Sequence, residues 1–145
     1  MQSGRGRKPL ARRLPKKEKR ACIEVLVEET AKSLLLQGWR IKVEFPRKLS
    51  EPDRTAECSV RHEYKELTIW FDLVKIPDDQ IQWTVIHEML HAVLDPLAGI
   101  ADEWAKGSAD REERVRLATE AVNSALTSVL WREWFGKLSE DSANR

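Results

Sequence analysis

Residues 87–91 read His-Glu-Met-Leu-His, and no other feature of the chain restricts its fold as much. Histidines four apart stand on one side of a helix, about one turn apart, and can share a divalent ion only if the segment is helical. The flanks predict that helix. Ile86, Leu90, Val93 and Leu94 give it an apolar side, Pro77-Asp78-Asp79 starts it with Asp78 or Asp79 as N-cap, and Asp95-Pro96 stops it after Leu94. Glu88, one position on from His87, can approach a water on such an ion without being a ligand itself. The chemistry divides the labour: neutral imidazoles hold Zn²⁺, the ion draws the pKa of its water towards ~7, and the carboxylate takes the proton and returns it to a leaving amine. The pentapeptide therefore nominates His87 and His91 as metal ligands and Glu88 as general base.

The rest of the chain predicts an α+β domain. Ile23, Leu26, Val27, Ala31, Leu34 and Leu35 fall at helical spacing over residues 18–37, with Gly38 placed as a stop. Trp39–Phe45 alternates strictly, apolar at odd positions, and Pro46 closes it. Residues 56–64 alternate more weakly through Ala56, Cys58 and Val60, and the aromatic, β-branched segment 67–73 pairs with them as a hairpin through Tyr64–Glu66. After the motif helix, a loop over residues 97–109 leads to a last helix over residues 110–134. Helix, about three strands, helix, helix implies a small sheet with helices packed on it.

A catalytic zinc site takes three protein ligands and one open position. Of the three histidines, only His62 remains, on the hairpin upstream; none follows His91, and Met1 and Met89 are the only methionines. This excludes the metzincin pattern and every arrangement with a downstream third histidine. The third ligand should be a carboxylate. Asp95 sits at a helix end, Asp102 and Glu103 in the loop, and Glu112 and Glu113 in the first turn of the last helix, where acids complement the helix dipole. Glu120 differs: it is the only charged residue from Thr119 to Ser128. On the last helix Ala118, Val122, Ala125 and Val129 form an apolar stripe, and Glu120 lies almost opposite. That is the signature of a solvated position, with the apolar stripe as the buried face; yet of its helical neighbours Arg116, Asn123, Ser124 and Thr127 three are small and uncharged, which a covered polar face explains. Glu120 is the favoured third ligand, with Glu113 as the alternative.

The stretch Ile86–Leu97 followed by Thr119-Glu120-Ala121-Val122-Asn123-Ser124-Ala125-Leu126 resembles the small gluzincin-type metallopeptidases of phages and prophages, and more distantly the ImmA/IrrE metallopeptidases. Glu120 stands six residues before Leu126, as the ligand glutamate does in that pattern; Thr119 and Asn123 depart from it. The resemblance covers roughly residues 35–130 and is specific at the HExxH pentapeptide. It implies a zincin-like fold, Zn²⁺ as cofactor, a peptide or protein substrate, and a place in the host cytoplasm. It also implies a substrate lying beside an edge strand, for which Thr68–Asp72 is the candidate. The oxyanion donor stays open between Tyr64, His62 and several arginines.

Charge is divided unevenly. Residues 1–20 hold nine Lys/Arg and one acid, so the remaining chain is acidic although the net charge is +1. Residues 1–17 read as a disordered basic arm able to contact nucleic acid phosphates, 18–136 as the single domain and 137–145 as a polar tail. No stretch suits a membrane span or a secretory signal, and two cysteines make no disulfide scaffold. Trp39, Trp70 and Trp83 are read as core residues. Three functions compete: a zinc peptidase, a catalytically silent binding or regulatory protein of the same fold, and a nucleic-acid-associated factor working through the arm.

Overall fold

The computed structural model describes residues 13–136, so most of the basic arm (1–12) and the tail (137–145) lie outside the described residues. The element order is α1 (Lys16–Ser33), β1 (Arg40–Glu44), β2 (Ala56–Arg61), β3 (Glu66–Phe71), α2 (Ile81–Ala105) and α3 (Ala109–Trp131). This is an α+β chain of three helices and one small mixed sheet. Among the described residues no helix is long and apolar enough to cross a membrane.

The sheet order is β1-β3-β2, with β3 parallel to β1 and antiparallel to β2. Register explains why alternation in three segments yields one core. Ile41 pairs with Leu67 and Val43 with Ile69, while Ala56, Cys58 and Val60 pair with Phe71, Ile69 and Leu67. These apolar positions thus share one sheet face, and successive side chains point to opposite faces. Leu67, Ile69 and Phe71 are fully buried there against Ile23, Val27 and Ala31 of α1 and Ile81, Val85, Met89 and Ala92 of α2. The opposite face is charged and tied by cross-strand pairs, Arg40 with Glu66 and Arg61 with Glu66. The hairpin through Tyr64–Glu66 forms as expected, closed by a short 3₁₀ turn and by Lys65 at φ 51°. Because β3 is central, Thr68–Asp72 cannot be the expected edge strand for a substrate; β2 is the edge beside α2.

α1 begins at Lys16, inside the expected arm, and α3 ends at Trp131 rather than residue 134; three further differences at helix ends each have a local reason. α1 ends at Ser33, not at residue 37, because Leu36 buries its side chain. The Leu36 N–H bonds to the Ala31 carbonyl (2.8 Å) and the Leu35 N–H to the Lys32 carbonyl (3.2 Å), with Leu35 at φ 58°. That is a Schellman closure with leucine in the left-handed position that Gly38 was expected to fill. Neither Asp78 nor Asp79 caps α2. Asp78 instead accepts the Leu14 N–H (2.6 Å) and pairs with the buried Lys19 (3.0 Å), whose ammonium also donates to the Ile76 carbonyl (2.8 Å).

The third difference is the largest. α2 does not stop at Leu94 but runs through Pro96 to Ala105, so the expected loop over 97–109 shrinks to Lys106–Ser108. Proline costs that helix one backbone bond. Beyond it, Leu97, Ala98, Ile100, Ala101 and Ala105 favour helix, and Ala105 is fully buried. The turn is sharp because Gly107 takes φ 81°. Ser108 then caps α3, its hydroxyl accepting the Arg111 N–H (3.5 Å), while Glu112 accepts the Gly107 N–H (3.1 Å).

Candidate metal centre

α2 presents two different sides. Ile81, Val85, Met89 and Ala92 recur every three or four residues and enter the core. His87 and His91 lie away from them, on a cleft of about 630 Å³ between α2, α3 and the β2 side of the sheet. The imidazoles are 5.2 Å apart between ring centres and inclined at 85°. Trp83, one turn before His87, stacks on its ring at 4.9 Å and 17°. His87 Nδ1 is buried without a hydrogen-bond partner among the described residues, so stacking, rather than a supporting carbonyl or carboxylate, orients this ring.

Glu120 reaches the histidines from α3. Its carboxylate oxygens stand 3.4 Å from His87 Nε2 and 3.6 Å from His91 Nε2, and one donor atom from each of the three residues lies within 4.8 Å of the others. Ligands around tetrahedral Zn²⁺ at about 2.0–2.2 Å stand roughly 3.4 Å from one another. The three side chains therefore fit a single ion with little adjustment. Two imidazoles and a carboxylate also form a donor set that suits zinc, and they leave one tetrahedral position open.

Glu120 reaches this position because α3 is turned over relative to its apolar stripe. Ala118, Val122, Ala125 and Val129 were expected to mark the buried face, and all four are exposed. The side chains α3 buries are Val115, Asn123 and Thr127, with Thr119 and Glu120 half-buried beside them. Asn123 is fully buried, and its amide donates to the His87 carbonyl (3.1 Å); Thr127 donates to the Asn123 carbonyl (2.8 Å). Burying a polar side chain costs free energy unless it finds a hydrogen-bond partner. Here the carbonyl of the first histidine supplies one. The polar side around Glu120, legible as uncharged in the sequence, is the covered side.

Electrostatics suit the geometry. Burial lowers the pKa of both histidines, with His91 adding to the shift at His87 and Glu120 opposing it at both, a shift towards the neutral imidazole that ligation requires. Glu88 is only 7% exposed. Burial, reinforced by the charge of Glu120, raises its pKa to about 7, against the opposing hydrogen bond from Cys58. A carboxyl poised there can both accept and return a proton near neutral pH.

The other candidates separate cleanly. Glu113 is exposed and bound through both oxygens to Arg116 (2.7 and 2.8 Å), away from the histidines. His62 sits on the hairpin turn, edge-on to Trp39 at 5.3 Å, and Tyr64 is exposed beneath the Arg61 guanidinium; neither lines the cleft. Arg54 and Arg116 do line it, as do Asp95 and Cys58. Cys58 was read only as a strand residue. Its signal was the alternation that turns Ala56, Cys58 and Val60 to the face α2 covers, but sequence spacing could not say that Glu88 lies opposite. Of the three tryptophans read as core residues, Trp39 packs half-buried against the core, Trp70 lies on the opposite sheet face with its indole N–H donating to Glu44, and Trp83, half-buried, serves the histidine. Comparison of the chain with family models, curated proteins and solved structures gives no match to any of them.

Proposed function

We propose that the chain is a zinc-dependent peptidase of zincin-like design, with His87, His91 and Glu120 as metal ligands and Glu88 as general base. The observation that carries this reading is the placement of both Glu120 oxygens, 3.4 and 3.6 Å from the two imidazole Nε2 atoms, in a cleft that also holds a buried carboxyl. An ion held by these three side chains would supply Lewis-acid polarisation of a carbonyl and a more acidic water. Glu88, adjacent to His87 but outside the ligand set, would hold a proton from water at its carboxylate and return it to the leaving amine. Trp83 keeps the His87 ring in place. The edge of β2, whose Ala56, Cys58 and Val60 line the cleft, offers backbone groups beside which an extended peptide can lie. Zincin-like architecture, peptide substrates and a cytoplasmic setting belong to this reading.

The test is hydrolysis of a mixed peptide pool by zinc-loaded protein, with Glu88→Gln as control. The expected result is turnover in wild type and a loss of about 10²–10⁴-fold in the variant, with zinc content unchanged. Undiminished activity in Glu88→Gln would overturn the assignment of the base. Full zinc loading with no turnover on any peptide would favour a binding protein of the same fold.

A further inference from the structure

The cleft contains a second set of metal-binding side chains that overlaps the first. Cys58 Sγ, a Glu88 carboxylate oxygen and a His91 ring nitrogen all lie within 4.8 Å of one another. The set is assembled from two elements, with Cys58 supplied by the edge strand β2 and Glu88 and His91 by α2. Thiolate, imidazole and carboxylate ligands around tetrahedral zinc stand about 3.5 Å apart, a spacing that small rotations of these side chains reach. A thiolate also discriminates: it suits Zn²⁺ and other thiophilic ions, not Mg²⁺ or Ca²⁺, which require oxygen cages.

We propose that Cys58, Glu88 and His91 form an alternative, inactive seat for the metal ion. His91 belongs to both sets, and a neutral imidazole has a single unprotonated ring nitrogen to donate, so the two seats exclude each other. In the first, His87, His91 and Glu120 hold the ion and Glu88 is free to move a proton. In the second the Glu88 carboxylate is itself a ligand and can no longer act as base. The consequence for catalysis rests on the peptidase reading above, whereas the existence of the second seat does not.

The surroundings explain why the seat needs a cation. Burial, together with the charges of Glu88 and Glu120, pushes the Cys58 thiol well above its ordinary pKa, with Arg54 opposing. A thiophilic ion bound there displaces the thiol proton to solvent and offsets the crowded carboxylates.

Co²⁺ titration of the metal-free full chain tests this, because a thiolate on Co²⁺ gives a near-ultraviolet charge-transfer band that imidazole and carboxylate ligands do not. Glu120 is half-exposed and Cys58→Ser is nearly isosteric, so neither change threatens the fold. In Glu120→Ala, which disables the first seat, one equivalent of cobalt should still bind and show the thiolate band. Cys22→Ser in the same background should leave the band intact. Adding Cys58→Ser should abolish the band and weaken cobalt binding by more than the roughly tenfold to hundredfold that loss of a supporting contact costs. Cys58→Ser alone should bind one equivalent without the band. No thiolate band in Glu120→Ala would overturn the second seat while leaving the first untouched. A second tight equivalent in wild type would overturn the exclusion. A Cys58→Ser protein that binds no cobalt would instead sink the His87–His91–Glu120 centre and with it the proposed function.

Discussion

Where α2 meets α1 and the sheet, the contact is made of Ile23, Val27, Leu67, Ile69, Phe71, Val85 and Met89, all 5% exposed or less. Where it meets α3, that helix contributes Asn123 and Thr127, fully buried and hydrogen-bonded, with Val115 as its single buried apolar side chain. The first interface follows the hydrophobic pattern of the sequence; the second runs against it, since Leu117, Val122, Leu126 and Val129 are 39–53% exposed. The difference shows what each interface does. Apolar contacts fix where α2 lies but carry no directional information. The Asn123 amide on the His87 carbonyl fixes the rotation and height of α3 at the turn that bears the first histidine, and Glu120 lies one turn earlier on the same side. Burial supports the helix, and polar matching sets the register of the site.

Substitutions in the two interfaces should therefore differ in kind. The largest loss is expected in the apolar one: Phe71→Ala should cost about 3–5 kcal/mol in chemical denaturation. A loss below about 1 kcal/mol would mean that the sheet does not form the core described.

The next effect depends on pH. The Glu88 pKa is raised from 4.5 to about 7 in the folded chain. Between those values the folded state keeps a proton that the unfolded state has released. The stability contributed by the protonated carboxyl is present in full below about pH 4.5 and is lost as pH rises through 7. Relative to wild type, metal-free Glu88→Gln should thus gain stability from pH 4.5 to 8, by up to about 3 kcal/mol. A difference independent of pH would contradict the burial of this group.

Asn123→Ala should cost about 1–3 kcal/mol by removing a buried hydrogen bond to the His87 carbonyl and leaving a cavity at a fully buried position. It should also weaken zinc binding by about 10–100-fold, a readout that an ordinary packing residue would not move. The smallest effect sharpens the contrast most. Val122→Ser and Leu126→Ser should each change stability by no more than about 0.5 kcal/mol, whereas a helix packed on its apolar stripe would lose several times that.

Much of this was legible in the sequence. Strict alternation in Trp39–Phe45 and the weaker alternation through Ala56, Cys58 and Val60 located a sheet with one buried face, and the HExxH spacing located the helix and its two histidines. Pro96 was misleading because a proline read alone signals a stop, while the helix beyond it is sustained by Ala105 and by packing along α3. Leu35 in a left-handed position could not be foreseen, since the burial of Leu36 that forces it is a tertiary fact. The orientation of α3 was legible only in part. Its apolar stripe pointed one way and the uncharged surroundings of Glu120 the other, and the partner that decides between them, a backbone carbonyl on another helix, leaves no mark on the sequence. Cys58 facing Glu88 leaves no mark for the same reason.

The central claim is that the polar seam brings Glu120 into a shared metal centre with His87 and His91. Its most direct test is the zinc content of Cys58→Ser protein, in which the thiolate seat is closed, compared with Cys58→Ser/Glu120→Ala in one elemental analysis. One zinc per chain in the first and almost none in the second is the predicted result. Equal zinc in both would remove Glu120 from the centre and contradict the account.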